Sequence, residues 1–262
     1  MDALDFNGRV AVVTGAGSGI GKAMAFEAAK RGMTVALADI AEDAVTETLR
    51  QIEADGGKGL ARKLDIRDAD AFDAFANEVI KEFGMPAAVF ANAGILNYGS
   101  TLRPDLEIWR RSLDINILGV IHTVHAFLGK MLDSGESGQF VITGSMGSFV
   151  AAPELASYTA AKHGVWAICE ALRMELGSQE KVGVSMLAPP RVDTPLLKES
   201  VARTTAAAGE EAGKQIRGGA MTPEAIAEAA FKGAETREFY ITPQIDDVAP
   251  MIRDRISRLL DR

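Results

Sequence analysis

The 262-residue chain has one cysteine, no basic stretch and no long apolar run, and each of these shortages excludes a class of protein. Cys169 has no partner for an internal disulfide, which favours a reducing compartment and a role for this side chain in the core. Because the net charge is −8, we expect no nucleic-acid partner. No run reaches the roughly 18 apolar residues of a membrane span, and the acidic first residues lack the apolar segment of a secretion signal. We therefore expect a cytoplasmic protein with no membrane partner.

Candidate metal ligands are also scarce. His122 and His125 share a helix face, but no cysteine or carboxylate lies at metal-ligand spacing from them. We expect both histidines to pack in the core or at an interface, and we expect no metal site.

The apolar content, at 47% hydrophobic and 24% charged residues, is enough for one large core. Stretches of helical period alternate with apolar runs at Val10–Val13, Val35–Ala38, Gly59–Leu64, Ala87–Ala91, Phe140–Thr143, Val182–Leu187 and Phe239–Ile241. Since parallel strands need crossovers, this alternation predicts a single α/β domain over residues 1–262, a doubly wound parallel sheet of about seven strands with helices on both faces.

Two segments of that pattern have specific interpretations. Gly32 follows the first helical stretch at the position where glycine usually ends a helix. Residues 194–220 are rich in Ala, Gly and Glu and have weak apolar periodicity, so we interpret them as a mobile substrate lid. A plain flexible insertion is the alternative.

A glycine-rich turn follows the first predicted strand. Residues 14–21 read Thr-Gly-Ala-Gly-Ser-Gly-Ile-Gly and open a helical pattern. Glycine lets the backbone come close to phosphates, while free N–H groups and the helix dipole favour negative charge. The spacing of Gly15, Gly19 and Gly21 differs from the commoner G-x-G-x-x-G, so an ordinary strand-to-helix turn remains the alternative.

An acid at the end of the second predicted strand supports a dinucleotide site. Asp39 lies eighteen residues after Gly21, close to the offset of about 20 at which a carboxylate meets the adenosine ribose. It would also repel a 2′-phosphate, by about 4 kcal/mol per pair of unit charges at ~4 Å and an effective dielectric of ~20. Ile40 and Ser18 offer no positive charge, so the sequence favours NAD over NADP. A solvated acid at a strand end is the alternative.

The candidate catalytic residues are Ser145, Tyr158 and Lys162. Tyr158 and Lys162 are four residues apart and share a helix face. Ser145 follows a predicted strand, thirteen residues before Tyr158, and ligands of open α/β sheets bind at the carboxyl ends of the strands. Ser145 is therefore expected beside the glycine turn, while a tyrosine and a lysine at this spacing also arise by chance.

Together these residues resemble the short-chain dehydrogenase/reductase family over nearly the whole chain. The resemblance rests on the glycine turn, Asp39, Asp65, Asn92-Ala93-Gly94, Asn116, Ser145, and Tyr158 with Lys162. It implies an NAD-dependent enzyme with Asn116, Ser145, Tyr158 and Lys162 as the catalytic set. The cofactor contacts that it implies are Gly15, Ser18, Gly19, Ile20, Gly21, Asp39, Ile40, Asp65, Ile66, Asn92, Ala93, Gly94, Tyr158, Lys162, Pro189, Val192 and Thr194.

The same resemblance implies roles for individual residues. Asp65 and Ile66 would contact the adenine, and Asn92 would steady the central strand. Asn116 would hold a water in a proton relay with Lys162, although an interhelical hydrogen bond would also explain an asparagine within a helix. The family also forms dimers or tetramers through long helices, so we expect a homo-oligomer, with a homotetramer as one form.

Two positions depart from the family pattern. Ala91 stands where the family usually has a first asparagine, which leaves Asn92 in place. Pro190 stands where the family has glycine in the loop beside the nicotinamide, and proline cannot adopt a positive φ. If that loop needs a left-handed residue, its path must differ here, which bears on the contacts of Val192 and Thr194.

The chemistry of the predicted site is a hydride transfer coupled to movement of a proton. A phenol of pKa near 10 is a poor base at neutral pH, and lowering that pKa by ~3 units needs about 4 kcal/mol. We expect the Lys162 ammonium, with the positive nicotinamide, to supply this stabilisation, while Ser145 holds the substrate oxygen.

The predicted function is oxidation of a secondary alcohol or reduction of a ketone. Substrate contacts are predicted at Ser145, Tyr158, Ile95, Met146 and Leu196, in a largely apolar pocket. The segment 238–243 resembles, more loosely, a branch of the family that oxidises bulky aryl alcohols such as lignin-derived β-aryl ethers. An NADP-dependent carbonyl reductase and a non-catalytic nucleotide-sensing protein of the same fold are the alternatives.

Overall fold

A computed structural model of the chain describes residues 3–177, 181–211, 214 and 218–260. Seven parallel strands form one sheet: β1 (Val10–Thr14), β2 (Thr34–Asp39), β3 (Lys58–Lys63), β4 (Pro86–Ala91), β5 (Gly138–Thr143), β6 (Val182–Leu187) and β7 (Tyr240–Ile241). Their order in space is β3-β2-β1-β4-β5-β6-β7, so the winding reverses between β1 and β4. The predicted seven-stranded, doubly wound sheet is confirmed.

Helices connect the strands and cover both faces of the sheet. They are α1 (Gly19–Lys30), α2 (Glu42–Ala54), α3 (Ala69–Phe83), α4 (Leu106–Leu113), α5 (Gly119–Ser134), α6 (Ala156–Leu176), α7 (Pro195–Ala208), α8 (Pro223–Glu235) and α9 (Ala249–Leu260). The first helix ends at Lys30, and Gly32 follows with φ of +76°, as the sequence predicted.

The strands are apolar because both of their faces are covered. Every residue of β1, β4 and β5 is buried, as expected of central strands in a parallel sheet. One apolar cluster joins the sheet to α3, α5 and α6, and a second joins its opposite face to α1, α2 and α8. Cys169 lies in the first cluster, fully buried, which confirms its expected place in the core.

The predicted lid begins with regular structure. Thr194 caps α7, accepting a hydrogen bond from the Leu197 N–H at 3.4 Å, and Pro195 occupies the first helical position. The weak apolar periodicity of this segment did not predict a helix. Residues 212–213 and 215–217 of the predicted lid lie outside the described residues, and the mobility of the lid stays a prediction.

One helical stretch has the length and apolar character that a membrane span requires. It covers residues 106–134, with 44% of its most apolar window buried inside the protein. Val120, Phe127 and Met131 of this stretch are buried in the core beside α3 and the sheet. Core helices pass the same test of length and composition, and we interpret this stretch as one of them.

Candidate active site

The glycine-rich turn leaves the carboxyl end of β1 and opens α1. Gly15 and Gly19 have φ of +68° and +52°, a conformation that other residues rarely adopt. A Cβ on Gly21 would lie 2.1 Å from the Gly15 carbonyl oxygen. Ser18 precedes the helix without capping it through its side chain, so first-turn N–H groups are left for another acceptor. This turn fits a pyrophosphate at the helix N-terminus.

Asp39 lies beside the glycine turn at the end of β2. Its carboxylate accepts hydrogen bonds from the Gly17 N–H at 2.8 Å and from the Ala41 N–H at 2.9 Å. These two bonds fix the carboxylate at the edge of the turn, where a ribose hydroxyl could meet it. Ile40, beside it, is 61% exposed.

Asp65 and Ile66 follow β3 on the same side of the cleft. Arg67 pairs with Asp65, at 2.6 Å between Nη2 and Oδ2, and this hydrogen-bonded ion pair lowers the pKa of Asp65 below its usual value. His122 approaches the Ile66 carbonyl at 2.8 Å through Nδ1, and since a carbonyl only accepts, this nitrogen carries the proton. We expected His122 to pack in the core or at an interface. In the structure its side chain makes this hydrogen bond, which fixes the Ile66 backbone.

Asn92 ties together the three central strands. Its backbone N–H and its side-chain NH₂ donate to Thr14 Oγ1 and Thr14 O at 3.0 and 3.1 Å, and Thr143 Oγ1 donates to its Oδ1 at 3.3 Å. Ala93 N–H also donates to Thr14 Oγ1, at 3.0 Å. Asn92 therefore holds the ends of β1, β4 and β5 in register, as the family resemblance implied.

Ser145 follows β5 at the start of a short helical turn. Its Oγ accepts a hydrogen bond from the Gly147 N–H at 3.0 Å, while its own N–H donates to Ser148 Oγ at 3.2 Å. Ser148 is fully buried, so the serine that the sequence could confuse with Ser145 has a supporting role.

Tyr158 and Lys162 lie on α6, which carries them beside Ser145. The Lys162 Nζ donates to the Thr143 carbonyl at 2.8 Å and lies 5.9 Å from the centre of the Tyr158 ring. Lys162 is only 4% exposed. The two side chains that the sequence placed on one helix face thus point into one site.

Burial dominates the electrostatics of this pair. Burial raises the pKa of Tyr158, a hydrogen bond with Ser145 opposes this rise, and the nearby Tyr98 adds to it. Burial also lowers the pKa of Lys162 to about 8. The expectation that Lys162 and the positive nicotinamide together make Tyr158 acidic concerns the cofactor-bound site and stays a prediction; in the chain by itself, burial raises the pKa of Tyr158.

Asn116 lies behind the cleft, at the π-helical turn Asp114–Leu118 between α4 and α5. Its side chain is fully buried and bonds the backbone of Ile95 twice, accepting from N–H at 3.0 Å and donating to C=O at 3.1 Å. The structure thus supports the hydrogen-bonding alternative for this side chain, and the proton relay with Lys162 stays a prediction.

A single cleft of about 1210 Å³ brings these residues together. Every predicted site residue lines it except Gly21, which packs beneath the turn, and Asn116. Pro189, Val192 and Thr194 line it despite Pro190, because the loop is held in place by backbone hydrogen bonds of Arg191 and Asp193 to Met221.

Several residues that line the substrate end were not predicted from the sequence. Tyr98 and Leu155 lie in loops, and Ser200 lies on α7. The only signal for Tyr98 was its place just beyond Ile95 and Leu96. Within the described ranges no three His, Cys, Asp or Glu side chains group as a metal site would require, and the absence of a metal stays a prediction.

Comparisons with known proteins agree with this geometry. Residues 9–205 match the family described as short chain dehydrogenase. A cyclohexanol dehydrogenase of Acinetobacter sp. (strain SE19) is 34% identical over 195 residues, covering 74% of this chain and 77% of that protein.

Solved structures agree as well. A short chain dehydrogenase/reductase from Burkholderia phymatum, in complex with NAD, has a TM-score of 0.90 and 28% identity, covering 99% of this chain and 97% of its own. One from Mycobacterium paratuberculosis, bound to NAD, has a TM-score of 0.81 and 26% identity, covering 91% and 96%. This chain belongs to the short-chain dehydrogenase/reductase family of oxidoreductases.

Proposed function

We propose that this protein is an NAD(H)-dependent dehydrogenase of secondary alcohols that also reduces the corresponding ketones. The observation that carries the proposal is the meeting of Ser145, Tyr158 and Lys162 in the cleft that also holds the glycine turn and Asp39. A non-catalytic nucleotide sensor would need no such set of proton-transfer groups.

The chain's own residues divide the work of the reaction. Ser145 and Tyr158 line the same cleft and interact with each other, so an alcohol oxygen that reaches both hydroxyls would be held for proton transfer. Tyr158 takes the alcohol proton during oxidation and returns one during reduction. Lys162, anchored on Thr143 O, keeps its amine beside the Tyr158 ring.

The cofactor would lie along the glycine turn, with its ribose at Asp39. NAD⁺, when bound, accepts a hydride from the carbinol carbon and brings a positive charge to the site. This positive charge would lower the pKa of the buried Tyr158 hydroxyl, which desolvation raises. Relatives in this family carry NAD in their structures, which supports the same cofactor here.

The substrate end of the cleft favours an apolar alcohol. Its walls carry the side chains of Ile95, Leu96, Met146, Val150, Leu155 and Leu196. The cyclohexanol dehydrogenase relative supports an alicyclic substrate. Bulky aryl secondary alcohols, indicated by the loose resemblance of segment 238–243, are a second group to assay.

The decisive experiment replaces one phenol. Tyr158→Phe removes the proton-transfer group, so kcat with cyclohexanol should fall by at least about 100-fold while NADH still binds. Tyr240→Phe is the matched control, since that hydroxyl bonds Trp166 and Glu170 outside the cleft, and it should retain turnover. Turnover of Tyr158→Phe at the wild-type rate would contradict the mechanism.

The cofactor preference has a separate test. Fluorescence titration should show NADH binding at least tenfold more tightly than NADPH, because Asp39 would face the 2′-phosphate. The preference should shrink in Asp39→Asn, which keeps the shape and removes the charge. Tighter binding of NADPH by the wild type would favour the NADP-dependent reductase instead.

A further inference from the structure

Tyr98 lies at the substrate end of the cleft, on the loop after β4. Asn116 fixes this loop at Ile95, three residues before Tyr98. Tyr98 lines the cleft together with Tyr158, close enough for the two phenols to interact electrostatically. Neither the predicted contacts nor the roles that the family resemblance implies include this side chain.

Three segments of the chain meet at Tyr98 and hold its ring. From α7, the Arg203 guanidinium lies 4.8 Å from the centre of the ring, and its Nη2 is 3.6 Å from Glu154 Oε2. The Glu154 carbonyl in turn accepts a hydrogen bond from the Gly99 N–H at 2.8 Å. The loop after β4, the loop after β5 and α7 are thus joined over the cleft.

Glu154 adopts a backbone conformation that needs such support. Its φ is +61°, in the left-handed region that is unfavourable for a residue with a side chain. Such a conformation persists where neighbouring contacts fix it, and here they are the Gly99 hydrogen bond and the Arg203 ion pair. Arg203 is therefore held in place over Tyr98.

The hydroxyl of Tyr98 is available to a ligand. The Thr159 and Ser200 hydroxyls, on residues that line the same cleft, donate to helix carbonyls, those of Leu155 at 2.9 Å and Leu196 at 3.0 Å. Among the residues that the structure describes, none forms a hydrogen bond with the Tyr98 hydroxyl. A phenol can both donate and accept a hydrogen bond, and here it stands in a wall that is otherwise largely apolar.

We propose that Tyr98 is a specificity-determining residue that hydrogen-bonds a second oxygen on the body of the substrate, and that Arg203 positions its ring. The substrate class is a secondary alcohol or ketone whose apolar body carries an ether, hydroxyl or carbonyl oxygen away from the reacting carbon. This inference rests on the proposed function for the orientation of the substrate. A wall that can bond an oxygen discriminates against the analogue that lacks it.

Binding to the NADH-loaded protein tests this without turnover. Calorimetry compares cyclohexanol with its 2-, 3- and 4-methoxy derivatives, and with at least one of them Tyr98→Phe should weaken binding by about 5- to 10-fold. Cyclohexanol should change by less than about twofold, because the ring and its contact with Arg203 remain. Tyr240→Phe, which removes the third phenol of the chain, should change neither.

The positioning role of Arg203 is tested by a measurement that a loss of stability alone would not change. The ratio of methoxy-derivative to cyclohexanol affinity should fall several-fold in Arg203→Gln and recover in Arg203→Lys, which keeps a cation over the ring. An equal change for both alcohols, in either variant, would assign Arg203 a structural role only.

The outcomes separate this inference from the proposed function. If Tyr98→Phe binds every methoxy derivative as the wild type does, or loses all alcohols equally, the inference is overturned. Cyclohexanone and its methoxy derivatives are assayed as substrates in parallel. If discrimination in binding depends on Tyr98 while the wild type reduces none of these ketones, the proposed function fails and the binding role stands.

Discussion

Lys162 is a buried amine whose hydrogen bond goes to a neutral carbonyl, that of Thr143. Burial of an ammonium without a carboxylate costs free energy, which is why its pKa falls from 10.5 to about 8. In the protein without a cofactor, the buried ammonium of Lys162 therefore lowers the free energy of unfolding. Such a conflict between stability and local chemistry is typical of active sites.

We predict that Lys162→Met stabilises the fold while it abolishes turnover. At pH 7 the gain in unfolding free energy should be about 1 to 3 kcal/mol, the cost of holding a charged amine in the core. Because the folded-state pKa lies below the unfolded value, this cost is fully present below about pH 8. It fades as the pH rises toward 10.5, where the amine is neutral in both states.

Urea unfolding of the wild type and Lys162→Met at several pH values measures this difference. Lys22→Met, at a position on α1 outside the apolar core, is the control and should change stability by less than about 0.5 kcal/mol. A difference that grows from pH 8 to pH 10 would have the wrong sign for this explanation.

At the scale of elements, the strands followed directly from their composition. A run such as Val10–Val13 is apolar on both faces, and only a strand in the middle of a covered sheet can bury it. The helix α7 was harder to predict, because its residues are stabilised by the cap at Thr194 and by contacts across the cleft rather than by an apolar stripe. The Thr194-Pro195 start of α7 is a signal that the sequence does carry, whereas the contacts across the cleft leave little trace in the local sequence.

The π-helical turn at Asp114–Leu118 is the second element that the sequence did not show. It places Asn116 against the Ile95 backbone, so it supports the loop that carries the substrate wall. We predict that Asn116→Ala lowers the unfolding free energy by about 2 to 4 kcal/mol, because it removes both of these hydrogen bonds and leaves a buried void.

The control for this prediction is Asn77→Ala on α3. Asn77 is exposed and makes one long hydrogen bond, at 3.5 Å to Asp73, so its loss should cost less than about 0.5 kcal/mol. Hydrogen exchange should also show faster exchange of the Ile95 amide in Asn116→Ala. Unchanged exchange at Ile95 would mean that the asparagine does not hold this loop.

At the scale of the whole molecule, exposed apolar side chains lie on α5 and the turn before it. Leu118, Ile121 and Leu132 are 45%, 38% and 37% exposed and recur at helical spacing. Contiguous exposed apolar patches mark contact surfaces between proteins. This face supports the expectation of a homo-oligomer formed through long helices.

We predict that the wild type sediments as a dimer or tetramer and that Ile121→Glu shifts it toward the monomer. A carboxylate buried in that contact without a partner would weaken it by several kcal/mol. Leu102→Glu, on a loop at a residue that is 94% exposed, should leave the oligomer intact. A monomeric wild type, or an Ile121→Glu variant that sediments unchanged, would place any interface elsewhere.

The sequence by itself determined the sheet and the candidate reacting groups. Apolar runs and glycine spacing act locally, and Ser145, Tyr158 and Lys162 stand at fixed offsets after one strand and on one helix. Only the tertiary structure decided that Asn116 supports Ile95, that burial raises the pKa of Tyr158, and that Tyr98, Glu154 and Arg203 meet across the cleft. Desolvation and contacts between distant segments depend on which residues the fold brings together, and no pattern within one segment records that.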